Sequence, residues 1–172
     1  RGIGLPEGGP DDAPDADTVC GLGNRKNDAF NVVLARDGVQ AYPGSVLLLD
    51  HLDRLGVPMG VVSSSANAPA VLEAAGLLAR FRTVVSGRVA AELGLAGKPA
   101  PDTFLHAAAE LDGRAERSVV LEDAVSGVRA GAAGHFGLVV GVDRGAGDAA
   151  LREAGAGVVV ADLAELVPDG AA

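Results

Sequence analysis

Aromatic side chains are nearly absent from this chain: Trp does not occur, Tyr occurs once and Phe four times in 172 residues. A core without large rings must be filled by small aliphatics, so Val, Leu and Ala are the expected packing residues. Cysteine is as scarce. Cys20 alone cannot form an internal disulfide and lacks the companions of a metal site. No apolar run approaches the roughly 20 residues that a bilayer-spanning helix needs. Arg1 is followed by Gly, Pro and Asp rather than by the apolar stretch of a signal peptide. Positive charge is lacking too. The 14 Lys and Arg residues face 23 Asp and Glu, a formal net charge of -9, which argues against a nucleic-acid partner because phosphate backbones demand clustered cations. The expectation is a reduced, cytoplasmic protein with neither membrane nor nucleic acid as partner.

What is present is aliphatic and organised. With 48% hydrophobic residues, the chain is long enough for one sizeable core but not two. Residues 1–20 are rich in Pro, Gly and Asp and predict an extended loop or linker. From Asn24 to about Ala35, Phe30, Val33 and Leu34 fall at helical spacing. A turn follows at "YPGS", where Ser45 could cap a helix striped by Val46, Leu49, Leu52 and Leu55. Beyond it, short apolar runs ("VPMGVVSS", "TVV", "SVVL", "GLVVGV", "GVVVA") alternate with helical patterns ("NAPAVLEAAGLLARF", "PDTFLHAAAEL", "AVSGVRAGAAG", "GDAALREAG") and a last helix begins at "DLAELV". Short, continuously apolar strands between helices predict a parallel sheet covered on both faces.

In such sheets ligands bind at the carboxyl ends of the strands, and three polar stretches fall there. "VVSSSAN" offers the hydroxyls of Ser63, Ser64 and Ser65, then Asn67, ahead of a helix. Hydroxyls and free N–H groups at a helix start can hold a phosphate, or can simply cap the helix. "GKPAPD" presents Lys98 before a proline, on a backbone biased towards extension, with Pro101 and Asp102 at a helix start. "SVVLEDAVSGVRAG" ends an apolar strand on two adjacent acids, Glu122 and Asp123. Adjacent ionised carboxylates beside an apolar strand are costly without compensation. A hard cation such as Mg²⁺ would answer the need. The alternative is that Asp123 caps the next helix while Glu122 faces solvent. Together the three stretches describe a site for a phosphorylated ligand with Mg²⁺.

In this order and spacing, "VVSSSAN", "GKPAPDTF" and "LEDAVSGVRAGAAG" resemble the haloacid-dehalogenase superfamily of phosphotransferases, and within it the β-phosphoglucomutase branch. "GLGNRKNDAF" and "YPGS" are similar to the end of that branch's helical cap and its return to the core. The resemblance implies an α/β, Rossmann-like parallel sheet with helices on both faces, over 43–172, preceded in 1–42 by the remnant of a helical cap and linker. It further implies that Ser63 holds the transferring phosphoryl group, that Lys98 neutralises it, and that Glu122 and Asp123 bind Mg²⁺. Lys26 and Asn27 match positions near the substrate and the second phosphate, and Ser64, Ser65 and Asn67 match further phosphate contacts. The implied reaction interconverts β-glucose 1-phosphate and glucose 6-phosphate through a transiently phosphorylated aspartate, with a small-molecule sugar phosphate as partner and a monomeric protein.

The family begins with an apolar strand ending Asp-x-Asp, the nucleophile and the general acid/base. Asp15-Ala16-Asp17 matches literally, but "PEGGPDDAP" ahead of it cannot form a buried strand. It also lies too close to the cap-like segment. Asp11-Asp12 fails as well, and Asp50 sits in a helical stripe. The chain thus carries the phosphate and metal half of the implied site without the nucleophile half, and alone is expected to be inactive. Three readings follow: a mutase, a sugar-phosphate phosphatase, or a phosphate-binding module without a nucleophile. The strands ending near Ser63 and Leu121 are expected to flank an empty central position, filled by a segment ahead of Arg1 or by another segment.

Overall fold

The computed structural model describes residues 4–168 and divides into two compact units, Arg1–Gln40 and Ala41–Ala172. In the first unit, residues 4–18 form turns without regular structure, and helix α1 (Val19–Asp37) follows. The Thr18 hydroxyl accepts from the Gly21 N–H at 2.9 Å and donates to Asp12, so one side chain caps the helix and fixes the preceding turn. Asn24 donates to the carbonyls of Pro10 and Asp12 at 3.0 and 2.8 Å. The helix starts earlier than its apolar spacing predicts, because Gly21 and Gly23 dilute the pattern while the cap still nucleates it. Asp15 and Asp17 lie in the turns before α1, not on a strand.

The second unit alternates strands and helices. Helix α2 (Pro43–Arg54) leads to β1 (Gly60–Val62), α3 (Ala68–Ala74), β2 (Thr83–Val85), α4 (Gly87–Glu92) and α5 (Asp102–Glu110). Then come β3 (Val119–Glu122), α6 (Val125–Ala133), β4 (Leu138–Val142), α7 (Asp148–Glu153) and β5 (Val158–Val160). The N-cap of α2 is Tyr42, and Ser45 lies inside its first turn, so Ser45 is not the cap its sequence position suggested. The helix predicted over "NAPAVLEAAGLLARF" is α3 and a separate 3₁₀ turn, Leu78–Arg80, interrupted at Gly76, whose φ of +68° ends a helix readily. The final segment, Leu163–Leu166, is a 3₁₀ turn with a capping box from Asp162 and Glu165 rather than the start of an α-helix. Short α4 has no counterpart in the sequence reading. Its signal is Ser86, whose hydroxyl accepts from the Val89 N–H.

Among the described residues all strand pairing is parallel, as the short apolar runs predict, and α5, α6 and α7 pack against the strands. The strands form two sheets, β1-β2 and β3-β4-β5, and β1 and β3 are not paired with each other. A cleft of about 490 Å³ lies between those two strands, floored by apolar side chains of α2 and α5 such as Leu48, Leu52, Phe104 and Ala108. The core under the three-stranded sheet is aliphatic: Val120, Val128, Val139 and Leu151 are buried, with Phe104 and Phe136 meeting edge to face at 6.0 Å. A second cluster joins Val140, Val142 and Val160 to Leu163 and Leu166. Among the described residues no helix is long and apolar enough to cross a membrane.

Candidate active site

The site is assembled where β1, β2 and β3 end. Beyond β1 the chain turns sharply. Ser63 Oγ accepts from the Ser65 N–H and Ser65 Oγ from the Asn67 N–H, both at 3.2 Å. The Ser63 and Ser65 hydroxyls therefore shape a turn, and α3 has no side-chain cap. The neighbouring β2–α4 turn comes close: the Gly87 N–H donates to the Ser65 carbonyl, and a Cβ on Gly87 would lie 2.3 Å from the Ser64 carbonyl oxygen. Only glycine fits there.

Lys98 arrives from the loop between α4 and α5. Its ammonium donates at 3.3 Å to the Val62 carbonyl, at the end of β1, and at 3.3 Å to Glu122 Oε1, at the end of β3. It also stands 4.7 Å above the Phe104 ring, a favourable place for a cation. One cation thus spans the mouth of the cleft between the two sheets. The pair is largely withdrawn from water, with side-chain exposures of 10% for Lys98 and 14% for Glu122. Burial raises the Glu122 carboxyl above the usual range, and the adjacent Asp123 charge adds to the effect, while Lys98 and the Ala124 N–H pull it down. Room for this carboxylate depends on Gly127: a Cβ there would lie 2.0 Å from Glu122 Oε1.

A pocket of about 250 Å³ beside this pair is lined by Ser63, Ser64, Gly87, Lys98 and Thr103 among others. Thr103 is buried and its hydroxyl has no hydrogen-bond partner among the described residues. Neither capping alternative holds for the acids, because α6 is entered through Ala124 without a side-chain cap. Asp123 is half exposed and faces Arg144, whose Nη1 is 3.9 Å from Oδ2. Arg144, in the loop after β4, was not flagged by sequence, since its partner is 21 residues away and no motif marks it. Ser65 and Asn67 lie in the turn beyond the pocket. Lys26, exposed, and Asn27, half-buried, sit on α1 in the other unit. Asp50 is on α2, where Arg80 binds it together with Asp53.

Glu122 and Asp123 provide two hard carboxylates side by side, and among the described residues no group of three or more His, Cys, Asp or Glu surrounds them. Such a donor set fits Mg²⁺, which is held by one or two carboxylates and completes its shell with water and substrate phosphate.

Parallel strands covered by helices, with a serine turn, a bridging lysine and an acid pair gathered at the strand ends, define an α/β core with a polar site at one edge. Residues 7–135 match the family model described as haloacid dehalogenase-like hydrolase, and the chain belongs to that family. It is 48% identical over 170 residues to a β-phosphoglucomutase of Mycobacterium bovis, covering 97% of this chain and 65% of the relative's length. A haloacid-dehalogenase family hydrolase from Deinococcus radiodurans, solved with bound phosphate and sodium, superposes with a TM-score of 0.69 at 33% identity, over 91% of this chain and 67% of that one. β-Phosphoglucomutase from Clostridium difficile gives 0.72 at 25% identity, over 85% and 61%.

Proposed function

We propose that this chain is the greater part of a Mg²⁺-dependent sugar-phosphate phosphotransferase, a β-phosphoglucomutase that converts β-glucose 1-phosphate to glucose 6-phosphate. The observation that carries the reading is Lys98, whose ammonium bridges the Val62 carbonyl and Glu122 across the mouth of the cleft. That cleft has unpaired strand edges on both sides and an apolar floor. A parallel strand seated in it would hydrogen-bond to both edges and deliver its carboxyl-terminal residues beside Lys98. An aspartate arriving there is the nucleophile that the family resemblance requires. Val119 and Leu121 on β3 are 57% and 36% exposed, apolar surface that a strand seated beside them would withdraw from water, which favours an occupant.

In this reading the side chains divide the work of phosphoryl transfer, which is largely positioning and neutralisation of charge. Ser63 donates its hydroxyl to the transferring group, with Ser64 lining the same pocket, and Lys98 neutralises an equatorial oxygen. Glu122 and Asp123 hold Mg²⁺, which when bound offsets the charge shared by the phosphoryl group and the attacking carboxylate. Glu122 also keeps Lys98 aimed. Lys26 and Asn27 are assigned to the neighbourhood of the substrate and the second phosphate of the bisphosphate, and Ser65 and Asn67 to further phosphate contacts. The domain division at 42/43 and a cytoplasmic monomer belong to the same proposal.

A phosphatase is the second reading, favoured by the hydrolase description of the matching family. The experiment is to supply the full-length gene product with β-glucose 1-phosphate and a trace of the bisphosphate, and to follow both products. Glucose 6-phosphate formation is expected. Release of inorganic phosphate without glucose 6-phosphate makes the protein a phosphatase, and turnover of neither leaves the binding-module reading standing.

A further inference from the structure

The acid pair is balanced by two cations, not one. Lys98 is committed to Glu122 and the Val62 carbonyl, which leaves Asp123 to Arg144. The arginine is held from several sides. Its guanidinium lies 3.8 Å from the centroid of the Tyr42 ring, its Nη2 donates to Ser45 Oγ at 3.2 Å, and its Nη1 approaches Asp123 Oδ2 at 3.9 Å. The backbone that carries it is fixed as well. Asp143 accepts from the N–H groups of Gly145 and Gly147, both at 3.0 Å, while its own N–H donates to the Val160 carbonyl at 2.8 Å. Gly145 and Gly147 have φ of +116° and +89°, a bend that side-chain-bearing residues rarely adopt. Along the strand ends the charges therefore run Lys98, Glu122, Asp123, Arg144, two acids flanked by two cations and summing to zero.

We propose that Arg144 is the resident counter-cation of Asp123 and sets how tightly the acid pair holds a divalent cation. The inference rests on the metal reading of Glu122 and Asp123 given above. A dication entering beside Asp123 meets a fixed positive charge that already shares that carboxylate. The repulsion weakens its binding, and salt screens it, because Arg144 and Asp123 keep side-chain exposures of 30% and 49%. A purely mechanical role, bracing the β4 loop against Tyr42 and Ser45, would need the arginine's shape but not its charge.

Charge and shape separate in the substitution Arg144→Gln, which removes the charge and keeps an amide donor for Ser45. The full-length gene product, free of substrate, is titrated with Mg²⁺ by calorimetry at about 0.02 M and about 0.5 M salt, where screening lengths differ several-fold. Arg144→Gln should bind Mg²⁺ about three- to tenfold tighter than the parent at low salt, with the gap closing at high salt. Arg144→Lys should remain near the parent. Unchanged or weaker Mg²⁺ binding in Arg144→Gln overturns the proposal. Asp123→Asn serves as the control and should lose most Mg²⁺ affinity. If it binds like the parent, the acid pair is not the metal site, and that failure shows in this variant whatever Arg144→Gln does.

Discussion

Replacing Lys98 by Met would keep the apolar stem over Phe104 and remove the ammonium from its two 3.3 Å contacts with Val62 O and Glu122. Glu122 is then a carboxylate at 14% exposure whose remaining support is the Ala124 N–H. Removing one partner of a buried pair typically costs about 3–5 kcal/mol, most of it the penalty on the charge left behind. That penalty applies only to the ionised form. The Glu122 carboxyl already titrates above its unfolded value because burial is the largest influence on it, and without Lys98 it should titrate higher still. A carboxyl with a raised folded pKa does not weaken the fold below its unfolded pKa, about 4.3, and does so increasingly as pH rises through the folded value. The deficit of the variant should therefore be small near pH 4.5 and reach about 3 kcal/mol by pH 8. Urea unfolding of the full-length gene product in EDTA, at both pH values, measures this directly. A carbon-detected titration of Glu122 gives the cause. The double variant Lys98→Met/Glu122→Gln, with no charge left to strand, should recover to within about 1 kcal/mol of the parent and lose the pH dependence. Equal deficits at both pH values, or no recovery in the double variant, would refute the reasoning.

Two further outcomes test other parts of the structure. Gly127→Ala places a Cβ 2.0 Å from Glu122 Oε1, so the carboxylate must leave Lys98. Turnover should fall by about 10²-fold, while thermal stability holds or rises slightly because Ala favours helix α6 by about 0.5–1 kcal/mol; near-parent kcat would show that Glu122 need not sit where it does. Leu151→Ala empties a fully buried position packed against Gly141 and should cost about 2–5 kcal/mol in urea unfolding. A loss under about 1 kcal/mol would mean that the core around α7 closes over the space.

The order of strands and helices could be read from the sequence because each depends on local pattern. The runs "SVVL" and "GLVVGV" are apolar without alternation, which suits strands covered on both faces, and Pro101-Asp102 announces the start of α5. Placing the serine turn and the acid pair at strand ends was equally local, since each directly follows its own strand in the chain. Lys98, by contrast, is separated from β2 by α4 and reaches the strand ends only through its tertiary contacts. Elements whose signals are weak were lost or misjudged. Helix α4 is short and marked only by Ser86, the start of α1 is diluted by glycine, and Ser45 resembles a cap but stands beside Arg144.

Pairings between distant segments were decided by the tertiary structure alone. That Lys98 reaches Glu122, 24 residues away, and that Arg144 rather than a helix end meets Asp123, depend on which strands lie side by side. The requirement for glycine at positions 87 and 127 arises from neighbouring carbonyl and carboxylate oxygens that no local pattern records. The sequence pointed to a need for compensation at two adjacent acids ending an apolar strand, because a charge beside apolar surface is costly. Which cations supply it follows from parallel crossovers that bring separate strand ends to one edge. There Lys98 and Glu122 meet largely withdrawn from water and attract strongly, while Arg144 meets Asp123 in a more exposed position.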